Sequence, residues 1–350
     1  MRRHSTGVLL AAVLACLLAA FPAPSCAGTS RAAHKTAPAQ PGALALWTPA
    51  QLAEPRNRAQ AQAERVIRQL AEPDMAAPSR TAPVEPAPRL PEELRGIIRR
   101  VNLPAGDRRV ALTFDLCERT AHVTGYDARL VDALRRANAR ATFFVGGKWL
   151  RSHPERALQL MADPRFAIGN HAWAHANMFV ADATMRQRQI QWTNAQYELL
   201  AEELDRRLEA RRMKPLKLRP LRLFRLPYGR GDVETARFIN DQGLAVIQWD
   251  VVGEGGQGDA RARATAIVEA VRPGSIVLLH ANAVPKDTAA VVRLLLPMLA
   301  RKGYATATVG ELLRSGVPQV VDEGYFSAPG DNRIYDTMFL GSGTGARAGR

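Results

Sequence analysis

The sequence predicts an α/β fold, a distorted (β/α)7–8 barrel, on three observations. Short β-branched and aromatic runs alternate with longer amphipathic stretches, the pattern of a mostly parallel sheet with crossover helices. Seven or eight such units in about 200 residues suit a closed or nearly closed sheet better than an open one. Charged and imidazole side chains stand directly after the apolar runs, where parallel α/β folds build their sites.

The chain has 350 residues. Arg2 and Arg3 precede an uncharged run from Gly7 to Phe21, followed by Pro22, Pro24 and the small residues Ser25-Cys26-Ala27. Residues 1–27 therefore read as a secretory signal. The apolar run is short for a membrane span, which needs roughly 18 residues or more, so a retained anchor is the weaker alternative. Cleavage after Ala27 would leave Cys117 as the one cysteine, and one thiol makes no internal disulfide. The mature chain is expected to be exported, periplasmic or secreted, with no membrane span.

Residues 28–107 read as an Ala- and Pro-rich spacer. Thr48-Pro49 is an N-cap followed by proline at the first helical position, and it opens one expected helix over 49–71. Six prolines from Pro73 to Pro91 mark a stiff linker.

Residues 108–314 are the expected catalytic barrel. Its apolar runs are Val110–Phe114, Ala141–Val145, Phe166–Ile168, Leu221–Phe224, Leu244–Gln248, Ser275–Leu279 and Tyr304–Thr308. Helical patterns lie at 127–138, 183–211, 232–242, 260–271 and 287–301. After Leu313 the chain turns Gly-rich, and 315–350 read as a partly disordered extension.

The 48 basic and 33 acidic residues leave a formal charge of +15, which suits an anionic partner. The basic run Arg206, Arg207, Arg211, Arg212, Lys214, Lys217, Arg219 and Arg222 reads as a solvated helix face. No nucleic-acid partner is expected, because aromatics are not interleaved and the address is extracytoplasmic.

The first run ends in Asp115, the third in Asn170-His171 with His175 four residues on, and the fourth in Arg225-Leu-Pro-Tyr228-Gly229. The fifth ends in Trp249-Asp250 and the sixth in His280. Three of the seven histidines thus fall on one rim. His171 and His175, at a common ligand spacing, point to a divalent metal, zinc first among the candidates. Trp149, Trp173, Trp192 and Trp249 are candidates for a sugar-stacking surface, with core packing the competing reading for Trp192.

In that order the strings Leu112-Thr-Phe-Asp115, Asn170-His171-Ala-Trp-Ala-His175, Phe224-Arg225-Leu-Pro227-Tyr228-Gly229, Trp249-Asp250 and Leu278-Leu-His280-Ala-Asn282 resemble the polysaccharide deacetylases with the NodB homology domain, carbohydrate esterase family 4. The resemblance covers about residues 108–314. It implies a distorted barrel, a divalent metal and hydrolytic removal of N- or O-acetyl groups from a polysaccharide. By that resemblance His171 and His175 hold the metal, Asp115 is the general base, Arg225 orients it, Tyr228 offers a backbone oxyanion donor, and His280 is the general acid. Asp250 or Glu254 would be the carboxylate that tunes His280.

One departure matters. The family's first motif usually carries a second aspartate as metal ligand, and here that place holds Leu116, then Cys117 and Glu118. Three routes follow: Asp115 ligates as well as serving as base, Glu118 swings in, or metal binding is weak or lost. The first is the expectation. Cys117 reads as a buried small apolar side chain rather than a thiolate ligand. The run Thr-Phe-Asp-Leu-Cys-Glu looks like a variant branch of the family. The expected substrates are peptidoglycan, chitin-like oligomers or exopolysaccharide. The alternatives are a non-catalytic glycan binder on the same barrel and a hydrolase of a non-sugar amide.

Overall fold

The computed structural model describes residues 42–255, 257–338 and 343–344; the segment read as a signal lies outside them. Ten strands form the main sheet: β1 (Ile97–Asn102), β2 (Arg109–Leu116), β3 (Ala141–Val145), β4 (Phe166–Asn170), β5 (Leu223–Phe224), β6 (Ala245–Ile247), β7 (Val251–Val252), β8 (Ile276–His280), β9 (Ala305–Ala307) and β10 (Val317–Val321). Their order is β7-β8-β2-β3-β4-β5-β6-β1-β10, with β9 also on β2. Every pair is parallel except β10 on β1. An antiparallel bridge between Arg100 and Ser275 ties β1 to the foot of β8, so the sheet curls into a distorted barrel.

The helices α1 (Ala128–Arg136), α2 (Gly147–Ser152), α3 (Pro154–Met161), α4 (Ala183–Ala210), α5 (Val233–Asp241), α6 (Ala260–Ala270), α7 (Thr288–Arg301) and α8 (Val309–Ser315) connect the strands. Aspartates cap several starts: Asp127, Asp182, Asp232 and Asp259 each accept from a backbone N–H of the first turn. Thr308 and Glu311 close a capping box on α8.

Strand alternation sorts the core into two layers. Val110, Leu112, Phe114 and Leu116 of β2 face outward, into the layer beneath the helices with Phe143 and Leu279. Ala111 faces inward, with Phe144, Leu223, Ile247, Ile276 and Leu278 filling the barrel. Residues two and four beyond Ala111 on the same strand are Thr113 and Asp115, so parity aims them into the barrel.

The termini depart from expectation. The helix expected over 49–71 is broken into Pro49–Leu52 and Arg58–Glu64, because Pro55 has no N–H to continue the first. Arg68–Gln69 then pairs antiparallel with His122–Val123. The Pro-rich stretch is docked rather than free: Arg80 bonds Glu198 and Glu202 of α4, and Leu90 is buried. β1 and β10 extend the sheet beyond both expected barrel boundaries. They were missed because β1 is interrupted by Arg99-Arg100 and β10 by Pro318. The basic face of α4 carries local pairs, Arg206 and Arg207 on Glu203.

One buried carboxylate pins the α1–α3 corner. Asp163 takes Arg165 Nε at 2.7 Å and Arg135 Nε at 2.9 Å. Burial alone would raise its pKa, but the two guanidinium bonds outweigh that and hold it below the usual range. Its stabilisation is therefore present above the ordinary carboxylate pKa and lost as pH falls through the depressed one. Asp163→Ala should cost about 3–5 kcal/mol in urea unfolding at pH 7, with the gap to wild type narrowing in acid.

Candidate active site at the strand ends

Register brings the expected residues together. His280 lies opposite Asp115 across β8 and β2. Leu116, Val145, Asn170 and Phe224 form one row across β2, β3, β4 and β5. His171 and Arg225, each one residue beyond that row, therefore meet at the same mouth.

Arg225 is fully buried and is the floor of the site. Its Nη1 donates to Asp115 Oδ1 at 3.0 Å and Thr113 Oγ1 at 2.7 Å. Its Nε and Nη2 donate to the carbonyls of Ile247 and Gln248 at 3.3 and 3.2 Å, and its guanidinium lies 4.1 Å from the Phe144 ring centroid. Thr113, two residues before Asp115 on the same face, is how β2 supports this arginine.

The Nδ1 of His171 faces the Arg225 carbonyl at 2.9 Å. A carbonyl only accepts, so Nδ1 carries the proton and Nε2 presents its lone pair. That Nε2 lies 3.5 Å from Asp115 Oδ2. Both His171 Nε2 and His175 Nδ1 are buried atoms without a hydrogen-bond partner. The imidazole rings are 4.8 Å apart, edge to face. Burial pushes the pKa of both rings down, His175 well below the usual value, which keeps them neutral as metal ligands must be. Ala172 and His175 sit at φ +62° and +54°, a tight loop that turns both rings to one point. Two glycines let that loop approach: a Cβ on Gly146 would lie 3.2 Å from the Ala172 carbonyl oxygen, and one on Gly147 2.2 Å from the Trp173 ring.

Cys117 Sγ, with one nitrogen each of His171 and His175, completes a group of three donors all within 4.8 Å of one another. Asp115, expected as a ligand, is not a member of that group; Arg225 holds one of its oxygens. Glu118 does not swing in. Its carboxylate is buried against Lys148 at 3.2 Å, Ser152 at 2.7 Å and the Thr124 N–H at 3.1 Å. Two buried, orphaned imidazole nitrogens beside a thiol fit a divalent ion of the softer kind.

The carboxylate on His280 is Glu254. His280 Nδ1 donates to Glu254 Oε2 at 2.6 Å, and its backbone N–H donates to Oε1 at 2.7 Å. Thr288 Oγ1 donates to the same Oε1 at 2.8 Å. Asp250, also expected in this role, is at the opposite end of β8: it accepts from the Ile276 N–H at 2.8 Å and Ser275 Oγ at 2.9 Å. The reason is position along the strand, since Asp250 precedes the two-residue β7 and Glu254 follows it. Burial opposes charge on His280, yet Glu254 outweighs it and the pKa is raised.

Tyr228 takes φ +60° in the turn after β5, with its ring against His175 at 4.4 Å. Residues 332–336 of the C-terminal extension lie at this mouth. Tyr335 stacks on Tyr228 at 4.7 Å, and Asn332 Nδ2 donates to the Tyr228 carbonyl at 3.2 Å. Asp336, on the short helix α9 (Ile334–Met338), is gripped by Arg230 at 2.8 Å and by Asn177 at 3.0 Å. The tryptophans form no exposed platform. Trp149, Trp173 and Trp249 are buried; Trp149 and Trp249 bond the carbonyls of Gly125 and Phe326, while Trp173 packs edge-on against Trp192.

Comparison with known proteins bears on the fold and on the family. The polysaccharide deacetylase family profile matches residues 102–247. A chitooligosaccharide deacetylase of Azorhizobium caulinodans is 28% identical over 187 residues, 50% of this chain and 81% of that protein. A peptidoglycan-N-acetylglucosamine deacetylase of Listeria monocytogenes is 28% identical over 211 residues, 59% of this chain but 39% of the longer relative. Among solved structures, a carbohydrate esterase family 4 pseudoenzyme from Bacillus anthracis shares the fold, with TM-score 0.51 and 22% identity over 67% of this chain and 73% of that one.

Glu254→Gln should lower the pH at which His280 loses its proton, read from its ring resonances in an NMR titration. An unmoved titration would remove Glu254 from this role.

Proposed function

We propose that this chain, whose residues 102–247 match the polysaccharide deacetylase profile, is a member of that family and an exported, metal-dependent hydrolase that removes N-acetyl groups from an N-acetylglucosamine-containing glycan such as peptidoglycan or a chitin-like oligomer. The observation that carries this reading is the convergence of Asp115, Arg225, His171, His175 and His280 on one barrel mouth.

A divalent ion, zinc by the softness of an imidazole pair, would polarise the acetyl carbonyl and acidify a water when held by His171 and His175. The remaining tasks fall to the chain itself. Asp115 accepts the proton of the attacking water, and Arg225 keeps its carboxylate oriented for that step. The Tyr228 backbone N–H, turned by the left-handed conformation there, is the donor for the developing oxyanion. His280, kept protonated by Glu254, gives its proton to the leaving nitrogen as the C–N bond breaks, releasing acetate and a free amine. Neutral imidazoles at the metal and a cationic one at the leaving group follow from environment: burial acts on all three, Asp115 only partly offsets it at His171, and a hydrogen-bonded carboxylate outweighs it at His280 alone.

Leu116 favours one second reading, a glycan binder without turnover on the same barrel. The two separate on acetate release from N-acetylglucosamine oligomers with and without a chelator. Release that stops with chelator and returns with zinc supports the hydrolase; retention of the oligomer with no acetate supports the binder. His280→Ala should slow release by roughly 100-fold or more. His171→Ala should lower zinc occupancy, and full zinc stoichiometry in that variant would remove His171 from the ligand set.

A further inference from the structure

We propose that Cys117 supplies a thiolate as the third protein ligand of this centre, replacing the carboxylate that Leu116 cannot provide; the inference rests on the metal-dependent reading above. The backbone explains why the replacement sits one residue later. Leu116 belongs to the outward layer beneath the helices, while Thr113 and Asp115 face the barrel interior. Residue 117 continues their face, and Cys117 accordingly ends beside His171 and His175, the three donor atoms within 4.8 Å of one another.

Each of the two imidazoles in this group also carries a buried nitrogen with no hydrogen-bond partner, so the thiol is not a lone feature. Cys117 is buried and in no disulfide. The bond that reaches Sγ comes from a donor, the Asn282 side-chain amide at 3.6 Å, which also holds the Cys117 carbonyl at 3.3 Å. In the metal-free chain burial, with Asp115 and Glu118 nearby, pushes the thiol pKa up and the Asn282 amide only partly opposes this, so the proton leaves when an ion binds. The nearby carboxylates are committed elsewhere, Asp115 to Arg225 and Glu118 to Lys148 and Ser152. Gly146 makes the approach feasible: its missing side chain would lie 3.5 Å from the Cys117 Cα and 3.2 Å from the Ala172 oxygen, between the thiol and the histidine loop.

Two neutral imidazoles and one thiolate carry the same single negative charge as two imidazoles and a carboxylate. The set is softer, however, and selects zinc or cobalt over magnesium, calcium or manganese. Binding moves the sulfhydryl proton to solvent, one proton per ion from this residue.

Cobalt(II) tests the ligand directly, apart from turnover. The full chain, freed of metal and titrated with cobalt, should take up one equivalent and develop the intense near-ultraviolet sulfur-to-cobalt charge-transfer band. Cys117→Ala should abolish the band and weaken zinc retention by roughly tenfold or more in a chelator competition, with an unchanged circular dichroism spectrum. Cys117→Asp should restore occupancy without the band. One cobalt per wild-type chain with no charge-transfer band, or a band that survives in Cys117→Ala, would overturn thiolate ligation and leave the hydrolase reading standing. Wild-type protein that holds neither zinc nor cobalt would overturn both. The wild-type spectrum decides the matter even where a variant fails to fold.

Discussion

A guanidinium buried without water is the constraint on which this site depends. Arg225 donates four hydrogen bonds inside the barrel, to Asp115, Thr113 and two carbonyls of the β6 strand end. Taking the charge out of water costs several kcal/mol, and such a set of partners offsets that. The same residue's carbonyl sets the tautomer of His171. One arginine therefore positions Asp115 with its side chain and His171 with its backbone, across three strands far apart in the chain.

The second constraint is the separation of three imidazoles by protonation state. His171 and His175 lie in dry surroundings that disfavour charge. His280 is half-buried, and Glu254 bonds both its ring and its backbone. A single carboxylate at the right strand end thus sets the third histidine apart from the other two, raising its pKa where theirs are lowered. Asp250, four residues earlier, secures the foot of β8 instead, which shows how narrowly position along a strand decides between structural and chemical work.

The terminal segments shape access to that chemistry. The N-terminal segment wraps the barrel through the Arg68–Gln69 pairing and the Arg80 ion pairs. The C-terminal segment lays Tyr335 on Tyr228, which itself packs on His175. One wall of the mouth is therefore built from residues more than 100 positions beyond the loop they cover. This wall, rather than a row of tryptophans, borders the site.

Much of this was legible in the chain. Strand–helix alternation specified the barrel, and the residues just past each apolar run specified Asp115, His171, Arg225 and His280, because both signals are local and periodic. β1, β10 and the C-terminal strap were not legible, since arginines or proline interrupt the strands and Tyr335 acquires meaning only from the ring it covers. Glu254 could not be separated from Asp250 by spacing; the register of β7 on β8 made that choice. In the chain Cys117 reads as a small apolar residue; only the direction its strand faces places it beside His171 and His175.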